Sequence, residues 1–250
     1  MANKCAICGA EVNLIQGQKL ADGNYICRKN CRSKCMKVFD CVHADLNQVQ
    51  AHIAQVERGT KLWEHYFVPK LKEKDKEKKL HNFTGNIYIA PDIGLMAMVQ
   101  VTYKFMFFGK ETRACVYRIA DIRDYEYEEE EKKTSNGTEK VRNMRVSFVN
   151  TEGMYEFRER LRSTGDYNAF LKYFNELFKI DKTFSNAKNT WKQQINAVKG
   201  VAAGMKAVMG GADDAMDKAA AAGQALDEAV LGDRADLARR ADEALAAFPG

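Results

Sequence analysis

Apolar and polar positions along the chain change period several times, and each change predicts a different kind of element. Leu46, Val49, Ile53 and Val56 recur at helical spacing, and Leu62 and Tyr66 extend the stripe until Pro69. This predicts one or two connecting helices. The following KLKEKDKEKK run, residues 70–79, alternates charges with little to bury and marks an exposed helix end or a linker. From residue 80 to 180 the period becomes that of strands. Predicted strands are Asn86 to Ala90, Leu95 to Phe108, Arg113 to Ile119, Asp124 to Glu130, Asn143 to Asn150 and Met154 to Arg160. Turn signals separate them at Pro91-Asp-Ile-Gly94, at Gly109 and at Ser135-Asn-Gly137. Phe170, Leu171, Phe174, Leu177 and Phe178 then form one apolar stripe of a helix that Asp166 favours near its start. Several short strands in succession, closed by one amphipathic helix, predict an antiparallel barrel or sandwich whose open end the helix plugs.

Beyond Thr183 the chain becomes rich in Ala and Gly and loses its aromatics apart from Trp191 and Phe248. Trp191, Ile195, Val198, Ala202, Met205 and Met209 form a narrow stripe near heptad spacing, with Lys192, Lys199 and Lys206 beside it every seven residues. Gly200 and Gly204 permit close approach of a second helix. A face of Trp191, Ile195, Val198 and Met205 edged by these lysines suits a protein partner or a second copy of the chain, and equally the chain's own domains; a membrane surface is a further partner. Gly210-Gly211 ends that helix, Asp213-Asp214 favours a second, and Asp233 caps a third carrying Leu237, Ala241, Leu245 and Phe248 on one side. Ala-rich helices bury little, so this end is expected to be mobile unless a partner covers it.

Composition narrows the class without naming a reaction. The 250 residues are 46% hydrophobic and 29% charged, which excludes collagenous, wholly disordered and membrane-embedded chains. The start, MANKCAICGAEV, lacks the basic and apolar regions of a signal peptide, and the expected location is the cytoplasm. A net charge of +5 is too small to announce nucleic acid. The four histidines, His43, His52, His65 and His81, have no nucleophile motif or glycine-rich phosphate loop near them, and an enzyme is not expected.

The strongest chemical signal is cysteine. Six of seven lie in the first 41 residues, and such crowding in a cytosolic chain favours metal over disulfides. Cys5-Ala-Ile-Cys8-Gly9 is a metal knuckle, with Gly9 allowing the tight turn. Cys27-Arg-Lys-Asn-Cys31 supplies a second pair at wider spacing. Cys5, Cys8, Cys27 and Cys31 are the preferred four-thiolate zinc site, and Cys35, one helical turn beyond Cys31, is the alternative fourth ligand. Four thiolates close the shell, so the zinc would be structural rather than catalytic. Cys41 and Cys115 read as buried apolar residues and His43 as an ordinary surface or core residue. Arg28, Lys29, Arg32, Lys34 and Lys37 make a basic face, which reads as solvated before it reads as a nucleic-acid surface.

The pattern Cys5-x-x-Cys8-Gly9 with Lys19-Leu20-x-Asp22-Gly23-x-Tyr25-Ile26-Cys27-x-x-x-Cys31 resembles a bacterial N-terminal zinc-ribbon domain family of unassigned function. Such proteins commonly continue into a PH-like or GRAM-like module, and Tyr117-Arg-Ile-Ala-Asp121-Ile122 with the acidic strand after it looks like that continuation. The resemblance covers residues 3–42 by motif and 80–180 by layout. It implies the four cysteine ligands, although the extra residue between Cys27 and Cys31 keeps Cys35 in contention. The expected architecture is α+β: a zinc ribbon (1–42), a helical connector and charged linker (43–80), a PH-like antiparallel domain (81–180) and an Ala/Gly-rich helical tail (181–250). The Pro91–Gly94 loop carries no Lys or Arg, which disfavours a phosphoinositide in such a module. A non-enzymatic interaction or adaptor protein is the expected class, ahead of a nucleic-acid binder or a peripheral membrane protein using residues 188–209.

Overall fold

In a computed structural model, residues 3–74, 80–103, 109–134, 137–149, 151–161, 164–178 and 234–249 are described. The chain forms two compact units. The first comprises residues 1–125, 145–159 and 237–250, the second residues 126–144 and 160–236.

The first unit begins with two small antiparallel hairpins. Strand β1 (Asn3–Lys4) pairs with β2 (Glu11–Val12), and β3 (Gly17–Lys19) pairs with β4 (Tyr25–Cys27). Helix α1 (Leu46–Leu62) starts at Asp45, whose carboxylate accepts from Gln48 N at 2.8 Å while Gln48 Oε1 accepts from Asp45 N at 3.0 Å. This reciprocal cap satisfies two otherwise unpartnered amides. The expected apolar stripe is buried at Val49, Ile53, Val56 and Leu62. The helix runs on through a π-helical turn, Trp63–Phe67, into Val68–Lys70, so Pro69 stands inside the last turn rather than beyond it.

Strands β5 (His81–Phe83), β6 (Ile87–Ala90), β7 (Leu95–Tyr103) and β8 (Lys110–Arg118) form a four-stranded antiparallel sheet in sequence order. All of β7 from Leu95 to Val99 is buried, because both faces of the sheet are covered. Leu95, Ala97 and Val99 join Trp63, Phe67, Leu80 and Ala114 in one core. Met96 and Met98 alternate onto the other face, paired with Tyr117 and Cys115.

No closed barrel forms among the described residues, and α1 supplies the reason. It lies along the outer edge of β8, where another strand would have to add: Thr60 Oγ1 accepts from Ala114 N at 3.2 Å and donates to Val56 O at 2.7 Å. Gly59 makes this approach feasible, since a Cβ there would stand 2.3 Å from Ala114 O. A helix thus covers an edge that would otherwise expose unpaired amides. The chain then turns through Ile119–Asp121 into a separate three-stranded antiparallel sheet, in the order β11-β10-β9, made of β9 (Ile122–Thr134), β10 (Gly137–Phe148) and β11 (Glu156–Arg160). The structure is therefore α+β with small antiparallel sheets. Within the first unit Tyr117 stacks on Phe148 at 3.9 Å, and Tyr117 Oη donates to Met154 O at 3.0 Å. In the second unit helix α2 (Thr164–Phe178) buries Phe170, Leu171 and Phe174, in line with the predicted stripe, and Asp166 falls in its first turn.

Helix α3 (Ala235–Ala247) departs from the expectation that the tail needs an external cover. Residues Leu237 to Ala247 pack on the first unit, with Leu237 and Ala241 buried. Two such side chains bury little area, so close backbone contact contributes the rest. Gly94, at φ +63°, lies so near that a Cβ would stand 2.2 Å from Leu237 O. Tyr66 Oη donates to Ala244 O at 2.5 Å, and Arg240 Nη1 donates to Pro91 O at 3.3 Å. Lys70 pairs with Asp92 beneath the same turn. The stripe of Trp191, Ile195, Val198, Ala202, Met205 and Met209, with Lys192, Lys199 and Lys206, lies outside the described residues.

A glycine within an exposed helix gains roughly 0.5–1 kcal/mol of stability on replacement by Ala. Gly59→Ala should reverse that sign and cost about 1–3 kcal/mol, because the methyl group meets the Ala114 backbone. Urea unfolding of the two proteins measures it.

Candidate metal centre

Both hairpins end in the sulfur cluster. Between β1 and β2 the chain reverses around Gly9, at φ +73°, with Gly9 N donating to Cys5 O and Cys5 N donating to Ala10 O, each at 2.8 Å. This turn carries Cys5 and Cys8. Cys27 ends β4 and stands at the head of a five-residue π-helical turn, Arg28–Arg32. The wider winding of a π turn absorbs the extra residue between Cys27 and Cys31, so Cys31 reaches the site despite the long spacing.

The Sγ atoms of Cys5, Cys8, Cys27 and Cys31 all lie within 4.8 Å of one another. Cys5 Sγ and Cys31 Sγ are 3.7 Å apart, and Cys8 Sγ and Cys27 Sγ 3.6 Å. A tetrahedron with metal–sulfur bonds of about 2.3 Å has edges of about 3.8 Å, so these thiols fit around one metal ion, and none forms a disulfide. Backbone amides support negative charge on the sulfurs: Cys27 N donates to Cys5 Sγ and Cys31 N to Cys27 Sγ, both at 3.3 Å. Burial raises the Cys5 pKa, but hydrogen bonds from the backbone of Cys8, Cys27 and Ile7 outweigh it and hold the thiol at about 6. Cys31 is pushed upward, by burial first and then by the neighbouring thiols of Cys27, Cys5 and Cys8.

Cys35 is turned away from this cluster. Its thiol hydrogen-bonds with Cys41, which raises Cys35 and lowers Cys41. Both are buried, as expected of Cys41, while Cys115 is fully buried in β8 and His43 is exposed beside Asp40. The basic face is partly consumed within the chain. Arg28 Nε donates to Gly17 O at 2.8 Å, the Arg32 guanidinium points at Met36 O and Phe39 O at 3.5 Å, and Lys34 pairs with Glu57 at 3.3 Å.

His52 is the residue that sequence reasoning passed over. It occupies a core position of α1 between Val49 and Ile53, and the apolar stripe on either side is the signal that marks it as buried. Its ring stacks on Phe39 with centroids 4.0 Å apart. Met36 N donates to Nε2 at 3.2 Å, so Nδ1 carries the proton and donates to Gln55 Oε1 at 3.0 Å. Gln55 in turn accepts from Met154 N at 3.0 Å and donates to Met154 O at 3.3 Å. Around Met36 the ribbon meets the sheet: Cys115 Sγ is 3.3 Å from Met36 Sδ, Lys37 N donates to Gln100 Oε1 at 2.6 Å, and Arg113 Nη1 donates to Cys35 O at 3.4 Å.

Cys31→Ser should lower bound metal well below one ion per chain, whereas Cys35→Ser should leave it at the wild-type level; elemental analysis of the purified variants decides. Burial lowers the His52 pKa from 6.5 to about 4. The unfolded chain therefore binds more protons between those values, and stability present above pH 6.5 is lost as pH falls toward 4. Between pH 7.5 and 5.5 this amounts to about 1 kcal/mol. His52→Gln should be less stable at pH 7.5 and should lack that part of the decline, as read from urea unfolding of both proteins at the two pH values.

Residues 4–53 match a family described as a domain of unknown function (DUF4428), and the match takes in the four clustered cysteines and the first turns of α1. No curated protein and no solved structure matches the chain.

Proposed function

We propose that this chain is a non-enzymatic interaction or adaptor protein whose N-terminal ribbon is held by a structural zinc ion. The observation that carries the reading is the closed cluster of Cys5, Cys8, Cys27 and Cys31. Zinc is the metal that four thiolates in tetrahedral array suit best among common cytosolic ions, and with four sulfurs bound it has no position for an activated water. The ribbon's own core is small, so the ion supplies much of its folding free energy. What the ion holds is a platform: the ribbon docks through Met36 and His52 onto a four-stranded sheet.

Three of the four histidines support a role other than catalysis. His52 is buried and bonded at both nitrogens, His43 pairs with an exposed carboxylate, and His65 stands edge-on to Tyr66. The strand-rich middle followed by α2 supports a PH-like binding module, with a peptide as the ligand class that the Pro91–Gly94 turn, which carries Asp92 and no Lys or Arg, favours over a phosphoinositide. Residues Trp191, Ile195, Val198 and Met205, with Lys192, Lys199 and Lys206, are proposed as the surface for a protein partner or a second copy. The docking of α3 on the first unit supports giving that role to the preceding stripe and not to the C-terminal helix. Internal use of Arg32, aimed at Met36 O and Phe39 O, and of Lys34, paired with Glu57, weighs against nucleic acid. The reading places the protein in the cytoplasm.

Native mass spectrometry of protein purified without chelator tests both parts. One zinc per chain in a dimer or larger assembly, reverting to monomer in an Ile195→Asp, Val198→Asp variant, is the expected result. Deleting the whole tail is unsuitable, because it would strip α3 from the first unit. A metal-free preparation would overturn the structural zinc, and a zinc-loaded monomer would overturn self-association.

A further inference from the structure

The turn between β2 and β3, residues Asn13 to Gln16, projects two adjacent aliphatic side chains into solvent, Leu14 at 78% and Ile15 at 84% exposure. The turn is held internally. Asn13 Oδ1 accepts from Ile15 N at 3.0 Å and from Gln16 N at 2.9 Å, and Asn13 O accepts from Gly17 N at 2.8 Å. Their exposure therefore belongs to a hydrogen-bonded turn.

The strand ends that flank this tip carry Arg28 and Lys29 on one side and Glu11 on the other. Gly17 pairs with Cys27 at the near end of the β3–β4 hairpin, so Arg28 and Lys29 follow directly beside the tip. Arg28 N donates to Gln16 O at 2.9 Å and Arg28 Nε to Gly17 O at 2.8 Å, which fixes its guanidinium at the base of the turn. Lys29 is exposed next to it. Residues 1–39 contain seven basic side chains and two acidic ones, Glu11 and Asp22. Asp22 lies at the opposite end of the hairpin, engaged with Leu46 N and Asn24 Nδ2, and Glu11 stands opposite Lys4.

We infer that the Leu14–Ile15 turn, with Arg28 and Lys29 at its base, is a docking tip for an anionic phospholipid surface. Aliphatic side chains at a convex tip enter the acyl boundary while cations behind them meet headgroup phosphates. Two side chains on a projection are too little area for a stable protein interface, and an apolar tip gains nothing from a nucleic-acid backbone. Among the described residues no helix is long and apolar enough to cross a membrane, so attachment here would be peripheral. A tip of this size gives weak, reversible binding that needs a second contact to persist. The inference rests on the metal-held ribbon of the proposed function.

The test is co-sedimentation of the full zinc-loaded chain with phosphatidylcholine vesicles, pure or with about one-third phosphatidylserine, near physiological ionic strength. Wild-type protein is expected to partition onto the serine-containing vesicles and only weakly onto neutral ones. Replacing Leu14 and Ile15 together by Asn should reduce that partition at least about tenfold, and Lys29→Ala about fivefold. Both substitutions are at exposed positions, and metal content measured on each sample verifies that the ribbon is intact. Absence of wild-type binding to anionic vesicles would overturn the inference. So would unchanged binding by the Leu14, Ile15 double variant, which would move attachment elsewhere in the chain, or binding to an oligonucleotide duplex in place of vesicles. Vesicle binding by metal-free protein that the double variant abolishes would support the tip while removing the structural zinc, so the two readings fail separately.

Discussion

A neutral imidazole holds the first unit together. His52 can accept from Met36 N and donate to Gln55 only while one nitrogen carries a proton and the other does not. Through these two bonds one side chain of α1 connects the ribbon on one side to the segment before β11 on the other. Gly153 packs so closely against it that a Cβ would stand 2.8 Å from the His52 backbone. A protonated ring would present a donor to the Met36 amide and place a charge in a buried stack with Phe39. The geometry of the ribbon relative to the sheet within this unit therefore depends on a proton being absent.

From that point the packing spreads along α1. Its N-terminus is fixed by the Asp45 cap and by Asp22, whose carboxylate accepts from Leu46 N at 2.9 Å. Its C-terminal half covers the edge of β8 through Gly59 and Thr60. One helix therefore does the work of a further strand, satisfying an edge amide and excluding water, while its preceding turns carry the metal segment. The segment that follows the sulfur cluster thus meets the sheet through α1. The four-cysteine cluster therefore bears on the strand-rich part of the unit.

The parts legible in the sequence are those governed by short-range rules. Cys5-x-x-Cys8-Gly9 encodes a turn that brings two sulfurs together, and the spacing of Val49, Ile53 and Val56 encodes a buried helix face. Most of the strands after residue 80 follow from alternation and turn residues, whereas β1 to β4, β5 and the full lengths of β9 and β10 do not. Spacing favours Cys31, the cysteine that joins the cluster, but leaves Cys35 open, because the choice depends on a π turn whose extra backbone width leaves no compositional trace. The barrel expectation failed for a similar reason. Nothing local in α1 announces that Gly59 will lie against Ala114, and a helical stripe gives no indication of which edge or face it will cover. His52 lay in plain view in the apolar stripe, but its role is defined by Met36, sixteen residues earlier, and by Met154, about a hundred residues later.

The position of α3 has a consequence for the order in which the molecule is made. Ala241 belongs to the same core as Trp63, Phe67 and Leu95, and Gly94 is shaped to receive Leu237. A ribosome delivers Trp63 and Leu95 long before Ala241, so during synthesis this part of the core waits for its last contributor while residues 126–236 emerge between them. The nascent chain therefore carries an incomplete apolar surface through most of its elongation. That surface is a ready substrate for chaperones until the helix arrives to cover it.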